Sequence, residues 1–456
     1  MRTCLSLALG ALIAACSSSG QDSPLDAAAQ GGDGSNASAD AATGKVCTGV
    51  RVAGSDPATG CATSSCAACP VPAGTTGAVC SASGACDFTC APGELKTAIG
   101  CGPVALQIVA GPAFTCALTR QHLVRCWGSL LTTTSNVPVV VAGLVDIKAI
   151  AAGDEHACAV TSAGAVKCWG RNADGQLGNG TLVDSATPVD VSGLSSGVVA
   201  LAAGQRHTCA MLSTGDVQCW GDNLLRQLGR DTPASTTTPL AIAGGNPNAI
   251  AIAAGTVHTC IVSANHHVTC WGNGESGQLG NQAKPRSSLG VEAVGVTDAV
   301  SIAAGGAGTR GYTCAIRAQG KVSCWGTNFW GNLGIGTNNA DVIAPVEVTT
   351  LAGVTELALG TDATCAVRAN ALSCWGHGDY GKIGHKGWAA PNGYHWLPTP
   401  TAMPELAMPA AHIAVGDYHS CFVTDTEVHC VGAAASGQLG DGVSTVATDT
   451  AVVVAW

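Results

Sequence analysis

HACAVTSAGAVKCWG, residues 156–170, places a histidine and two cysteines within thirteen positions. Alone, it admits three readings: a metal site, a redox pair or a covalent staple. The rest of the chain decides between them, because the stretch recurs. Ile150-Ala-Ala-Gly153 before it has counterparts ending in Gly111, Gly204, Gly255, Gly305, Gly360 and Gly416, spaced 42, 51, 51, 50, 55 and 56 residues apart. Each is followed by a cysteine, a second cysteine nine or ten positions on, and usually Trp-Gly. Five repeats end in Gly-x-[Leu/Ile]-Gly, as in Gly175-Gln-Leu-Gly178 and Gly437-Gln-Leu-Gly440. The third keeps Gln227-Leu-Gly229 with Arg226 in place of the first glycine, and the first repeat lacks the ending.

A period of about fifty residues indicates a solenoid or a propeller. Each unit reads as four strands: one through Ile-Ala-Ala, two flanking the cysteine hairpin, and one after the Gly-rich turn, such as Pro345-Val-Glu-Val348. Seven four-stranded blades predict an all-β, seven-bladed β-propeller. Stacked blades bury both faces of each sheet, which accounts for weak polar alternation and abundant Ala, Val and Gly. The last strand, Thr450–Trp456, reads as a spare that crosses to the first blade and locks the ring.

Comparison among the seven units replaces an alignment. The histidine is His156, His207, His258 and His419, but Phe114, Tyr312 and Ala363 take its place elsewhere. A zinc ligand does not interchange with phenylalanine, whereas a packed ring does. Both cysteines are present in every unit: Cys116 with Cys126, Cys158 with Cys168, Cys209 with Cys219, Cys260 with Cys270, Cys314 with Cys324, Cys365 with Cys374, and Cys421 with Cys430. Opposed positions on antiparallel strands approach to about 4.5 Å between Cα atoms, within disulfide reach. The nine-residue spacing of the last two pairs is met by a two-residue turn. We therefore expect seven intrablade staples. The Trp after the second cysteine is expected to pack between blades, and the Asn or Gly beyond it (Asn172, Asn223, Gly274, Asn328, Gly378) to supply positive φ. Asp174 is replaced in the other units, so the calcium-like Asn172-Ala-Asp174-Gly175 is set aside. No constellation calls for a cofactor, a metal or a catalytic residue.

Ala-Gly-x-x-His-x-Cys-Ala, Cys-Trp-Gly-x-Asn and Gly-Gln-Leu-Gly-x-Gly resemble the regulator of chromosome condensation repeat. The resemblance covers residues 105–456 and implies the propeller fold. Its functional reach is small, because one fold hosts many sites. Nucleotide exchange on a nuclear GTPase, which the resemblance would offer, is set against the formal charge of −10 and the export features of the N-terminus. A secreted bacterial beta-lactamase inhibitor shares this propeller type and supplies, by analogy of fold, the alternative of an inhibitor. A glycan-active enzyme would need paired acids at the propeller mouth, and no such pair stands out.

The N-terminus adds a location. Residues 1–15 combine Arg2 with a short apolar run and read as an export signal. Ile13-Ala-Ala-Cys16 resembles a lipobox, which would make Cys16 a lipid-bearing terminus; with Ser17 following, the resemblance implies an outer-membrane or surface lipoprotein. Residues 16–46 are a Ser/Gly/Asp/Ala tether, and 47–104 a segment whose eight cysteines stand in for a core. No Lys/Arg run exists and 11% of residues are charged, so no nucleic-acid footprint is expected.

Function is expected where the repeat is broken. Nine of the eighteen aromatic residues lie between 310 and 396, and Trp325 and Trp375 belong to the repeat. Arg310, Tyr312, Phe329, Trp330, Tyr380, Trp388, Tyr394 and Trp396 are left as a candidate partner-binding patch, the alternative being a loop packed on itself. The expectation is a monomeric, surface-anchored, non-enzymatic scaffold for a protein or glycan.

Overall fold

The computed structural model describes residues 105–456, apart from 246, 339, 370, 386–395, 404–409, 425–426 and 444–445, together with six short strands between 45 and 102. Those six form three two-stranded ladders, the longest pairing Thr75–Cys80 with Cys86–Cys90. Cys16, Trp388 and Tyr394 lie outside the described residues, as do the cysteine side chains between 47 and 101.

From Ala105 onward the chain forms seven four-stranded antiparallel sheets, each of four consecutive strands. The first strands are Ala105–Ala110, Ile147–Ala152, Val198–Ala203, Ala249–Ala254, Ala299–Ala307, Val354–Leu359 and Ala410–Val415. They surround the axis. The glycine after each inner strand explains why the repeat ends as it does. A Cβ built on Gly153 would lie 2.4 Å from the carbonyl oxygen of Gly204, one on Gly204 2.3 Å from that of Gly255, and so on around the ring to Gly416 against Gly111 at 2.4 Å. No real Cβ tolerates such contacts, so the axis is lined by backbone.

All seven expected cysteine pairs are disulfides, with Cα–Cα separations of 4.1 Å. Cys116 is bonded to Cys126, Cys158 to Cys168, Cys209 to Cys219 and Cys260 to Cys270. Cys314 is bonded to Cys324, Cys365 to Cys374 and Cys421 to Cys430. The partners sit directly opposite in the ladder, as Cys219 faces Cys209, Cys270 faces Cys260, Cys324 faces Cys314 and Cys374 faces Cys365. Cys219, Cys270, Cys324 and Cys374 are fully buried, so these sulfurs belong to the core and not to an accessible redox centre. In blade six Arg368 faces Ala371, which leaves the two-residue turn that the shorter spacing requires.

The blades are joined by a repeated set of hydrogen bonds. Trp220 Nε1 donates to the carbonyl of Gln176 in the preceding blade at 2.8 Å, and Trp271, Trp325, Trp375 and Trp127 donate to Gln227, Gln278, Asn332 and Gln438 at 2.9 Å. Thr208 Oγ1 donates to the same Gln176 carbonyl, so it must accept from His156 Nε2, 2.8 Å away. That fixes the Nε2–H tautomer and leaves Nδ1 buried against glycine with no partner. His207, His258 and His419 are held in the same way by Thr259, Thr313 and Thr115. Burial lowers their pKa values to about 4 for His156 and about 3 for the other three.

Two sequence-based expectations do not hold. The last strand, Thr448–Val453, pairs within blade seven, with Val452 opposite Cys430, and blade one forms its own fourth strand, Thr133–Val140. The ring closes between blades seven and one instead through Trp127 on the Gln438 carbonyl, a reciprocal pair in which Gly442 N donates to the Asn136 carbonyl and Asn136 Nδ2 to the Gly442 carbonyl, both at 2.9 Å, and Trp456 edge-on to Trp127. Nor do Asn172, Asn223 and Asn328 serve through positive φ. Their buried amides clip the loop: Asn172 Oδ1 accepts from Leu177 N at 2.9 Å while Nδ2 donates to the carbonyls of Thr181 and Val183. Gly274 is needed for space, since a Cβ there would meet the Pro285 carbonyl at 2.3 Å.

Candidate functional site: a charged and aromatic face on blades five to seven

Antiparallel order places the loops joining first to second and third to fourth strands on one face of the ring, opposite the stapled hairpins. On blades five to seven this face departs from the repeat. In blade six the Gly-Gln-Leu-Gly turn becomes Gly381-Lys-Ile-Gly384, and the Lys382 side chain, only 3% exposed, runs beneath the surface. It pairs with Asp362 and donates to the Asp417 carbonyl at 2.8 Å, tying blade six to blade seven. His377 Nδ1 lies 2.8 Å from the second oxygen of Asp362, and its Nε2 3.2 Å from Asp379. Burial pushes the Asp362 carboxyl up, but His377 and Lys382 outweigh it and leave its pKa below the usual value.

This pair replaces the usual interblade set. Ala363, Ser420 and Val431 stand where other interfaces have His, Thr and Trp, and the Ser420 hydroxyl is left without a partner. The buried lysine takes over the joining role, and the ion pair carries aromatic side chains on its rim. Trp330 stacks on His377 with ring centroids 4.3 Å apart, Tyr380 meets Tyr418 edge-on at 5.6 Å, and the Arg310 guanidinium lies 4.4 Å over the Phe329 ring. Phe329, Tyr380 and Tyr418 are about half exposed. A shallow cavity of about 130 Å³ opens between Arg310, Phe329, Trp330 and Asp362.

Of the candidate residues, Arg310, Phe329, Trp330 and Tyr380 thus share one face. Tyr312 does not. It is fully buried, donates from its hydroxyl to the Ala363 carbonyl at 2.8 Å and accepts from Thr364. It occupies the histidine position of blade five, and burial raises its pKa. Trp396 begins the fourth strand of blade six opposite His377 and is half-buried. The reading of aromatics alone missed Asp362, His377, Lys382, Asp417 and Tyr418. Lys382 carried a signal, as the charged residue where other repeats have Gln or Asn. Asp362 and Asp417 carried none, because each stands at a variable position: Asp362 where other blades have Glu155, Arg206, Val257 or Tyr418, and Asp417 where they have Asp154, Gln205, Thr256 or Thr361.

At the axis, Asp154 and Asp417 project from blades two and seven over a cavity of about 140 Å³ whose walls are the inner-strand glycines and alanines. Burial and the Asp417 charge push the Asp154 pKa up to about 6, against a hydrogen bond from Gln205. Asp417 is raised as well, chiefly by burial, in spite of its bond from Thr361.

The fold and its interblade bonds define a disulfide-stapled seven-bladed propeller of sevenfold-repeated sequence. Residues 129–455 match the RCC1-like domain, and the chain belongs to that family. It is 33% identical over 221 residues to the ultraviolet-B receptor UVR8 of Arabidopsis thaliana, covering 47% of this chain and 50% of that protein. It is 28% identical over 290 residues to the mouse secretion-regulating guanine nucleotide exchange factor, covering 57% and 61%. To the human E3 ubiquitin-protein ligase HERC2 it is 29% identical over 283 residues, covering 59% of this chain and 6% of that one. The chain therefore spans less than two thirds of each of these relatives. Among solved structures, Prp20p of Saccharomyces cerevisiae superposes with a TM-score of 0.63 at 21% identity, over 78% of this chain and 87% of that one. Human WBSCR16 superposes with a TM-score of 0.61 at 19% identity, over 71% and 85%. These two speak for the fold.

Proposed function

We propose that the protein is a non-enzymatic binding scaffold that is exported, held at a membrane surface by lipid on Cys16, and engages a protein partner through the loop face of blades five to seven. The carrying observation is that the repeat breaks there in a concerted way. One blade junction exchanges its His, Thr and Trp for a buried Lys382–Asp362 pair, and five aromatic or cationic side chains, Arg310, Phe329, Trp330, Tyr380 and Tyr418, gather on its rim. Half-exposed Phe and Tyr beside an Arg have the composition of interface hot spots. Prp20p is described by its binding to Gsp1p and histones, so a relative of this fold presents protein-binding surface. Seven disulfides support an oxidising compartment.

The alternative of glycan chemistry draws on Asp154 and Asp417 at the axis, a raised acid beside a second carboxylate. Cavity size favours the binding reading. The axial cavity of about 140 Å³ is well below the ~300–1,000 Å³ of small-molecule sites.

The test is site-specific photocrosslinking in the native host, with the photoreactive residue at position 329 or at position 182 on blade two. One dominant protein adduct from position 329 that is absent from position 182 supports the proposal; a glycan adduct, or identical adducts from both, overturns it. Lipidation is tested separately: labelled palmitate should enter the wild-type chain and not Cys16→Ser.

A further inference from the structure

The junction between blades one and two is built unlike the rest. In the five junctions that use the indole–carbonyl bond, the preceding blade supplies a turn with three fittings. Its middle carbonyl accepts from the indole, as Gln176 does from Trp220. The next side chain, Leu177, Leu228, Leu279, Leu333 or Leu439, is buried to 1% exposure or less. Its closing glycine lies against the indole ring, and a Cβ on Gly178 would come within 2.7 Å of Trp220 Nε1.

Blade one has no such turn. Its chain leaves Trp127, reverses after Leu130 and enters its fourth strand at Thr133. Phe114 stands in for the histidine and Ala157 for the threonine, so no interblade side-chain hydrogen bond of the repeated kind is possible here. A cavity of about 510 Å³ is left, walled by Phe114, Trp127, Leu130, Val139, Trp169 and Thr187. Its volume is within the usual range for binding sites. The Trp169 indole, counterpart of the five that donate to a carbonyl, borders this cavity and meets no acceptor among the described residues.

We propose that this cavity is a socket for a turn of the Gly-x-Leu-Gly kind presented by a partner protein. The other junctions specify what fits: a leucine side chain in the apolar space, the carbonyl before it on Trp169 Nε1, and glycines where the indole and the fourth strand of blade two (Ser185–Asp190) leave no room for Cβ. A second copy of this chain does not qualify as the donor, because its own turns of this kind are buried in its own junctions. This inference is independent of the face on blades five to seven.

The probe is a head-to-tail cyclised peptide with the sequence of residues 172–181, titrated into the full-length chain carrying 15N-labelled tryptophan. One indole resonance, assigned to Trp169 through Trp169→Phe, is expected to shift. A peptide carrying Leu177→Asp should bind at least about tenfold more weakly, the worth of one buried leucine. Replacing residues 129–137 by the blade-two segment 171–187 supplies the missing turn in cis; it should raise Tm and abolish the shift. The proposal is overturned if millimolar peptide leaves the Trp169 resonance in place, or if the Leu177→Asp peptide binds equally well. Both of these arms use the wild-type chain and do not depend on whether the graft folds.

Discussion

Acid should loosen this ring, and the four interblade histidines set how far. His156, His207, His258 and His419 are fully buried as neutral rings, each giving Nε2–H to a threonine and hiding Nδ1 against glycine. Protonation would place a second donor where no acceptor exists, which is why burial holds their pKa values at about 3–4 against an ordinary 6.5. A lowered folded-state pKa means that the unfolded chain binds more protons between those values, so stability is present above pH 6.5 and is lost as pH falls. Between pH 7 and pH 5 each histidine should cost about 2 kcal/mol, and the four together on the order of 8. Asp154, raised to about 6 from 3.8, works the other way and returns about 1 kcal/mol over the same interval. Asp417 is raised and acts in the same sense as Asp154. The net loss, on the order of 7 kcal/mol less what Asp417 returns, is a large share of a typical folding free energy. Urea unfolding followed by tryptophan fluorescence at pH 7 and pH 5, disulfides intact, measures it. His207→Phe sharpens the test, since blade one already carries Phe114 at this position; the variant should lose about a quarter of the histidines' acid sensitivity. Equal stability at the two pH values, or an undiminished acid loss in His207→Phe, would refute the reasoning.

Other perturbations have defined outcomes. Gly204→Ala must push the Gly255 carbonyl off the axis and should cost roughly 2–4 kcal/mol by urea unfolding, whereas the same change at Gly193, with open space around its Cβ position, should cost about 1 kcal/mol through its positive φ alone. Lys382→Met leaves Asp362 buried without its main cation and should cost about 3 kcal/mol, with the loss smaller in Lys382→Met/Asp362→Leu. Cys158→Ser/Cys168→Ser opens one ten-residue loop and should lower stability by about 2–3 kcal/mol while far-ultraviolet circular dichroism stays unchanged.

Much of the fold was legible because the sequence presents the same problem seven times. Exchange of His for Phe, Tyr or Ala at one position identified a packed ring, and constant cysteine spacing identified opposed partners on a hairpin. What failed was reading one strand without its neighbours. Thr448–Val453 has the composition of every fourth strand, and blade one's short loop concealed that Thr133–Val140 already completed its sheet. Asn172 and Tyr312 misled for a related reason. A side chain that reaches inward to backbone groups is indistinguishable in sequence from one at a turn or on the surface. The candidate face was half visible: aromatics stand out by type, whereas Asp362 and His377 acquire meaning only beside Lys382, which arrives from a different loop.

The measurement that bears most directly on the division between frame and function compares two triple variants in binding to the protein crosslinked at position 329. Phe329→Ala/Trp330→Ala/Tyr380→Ala removes the rim of the blade five-to-seven face. Leu182→Ala/Val183→Ala/Leu224→Ala removes exposed apolar side chains from the same face on blades two and three. With Tm values matched to wild type, the first should weaken binding by at least about a hundredfold, and the second should leave it within about twofold. Equal affinities for the two variants, or the larger loss in the second, would contradict the account.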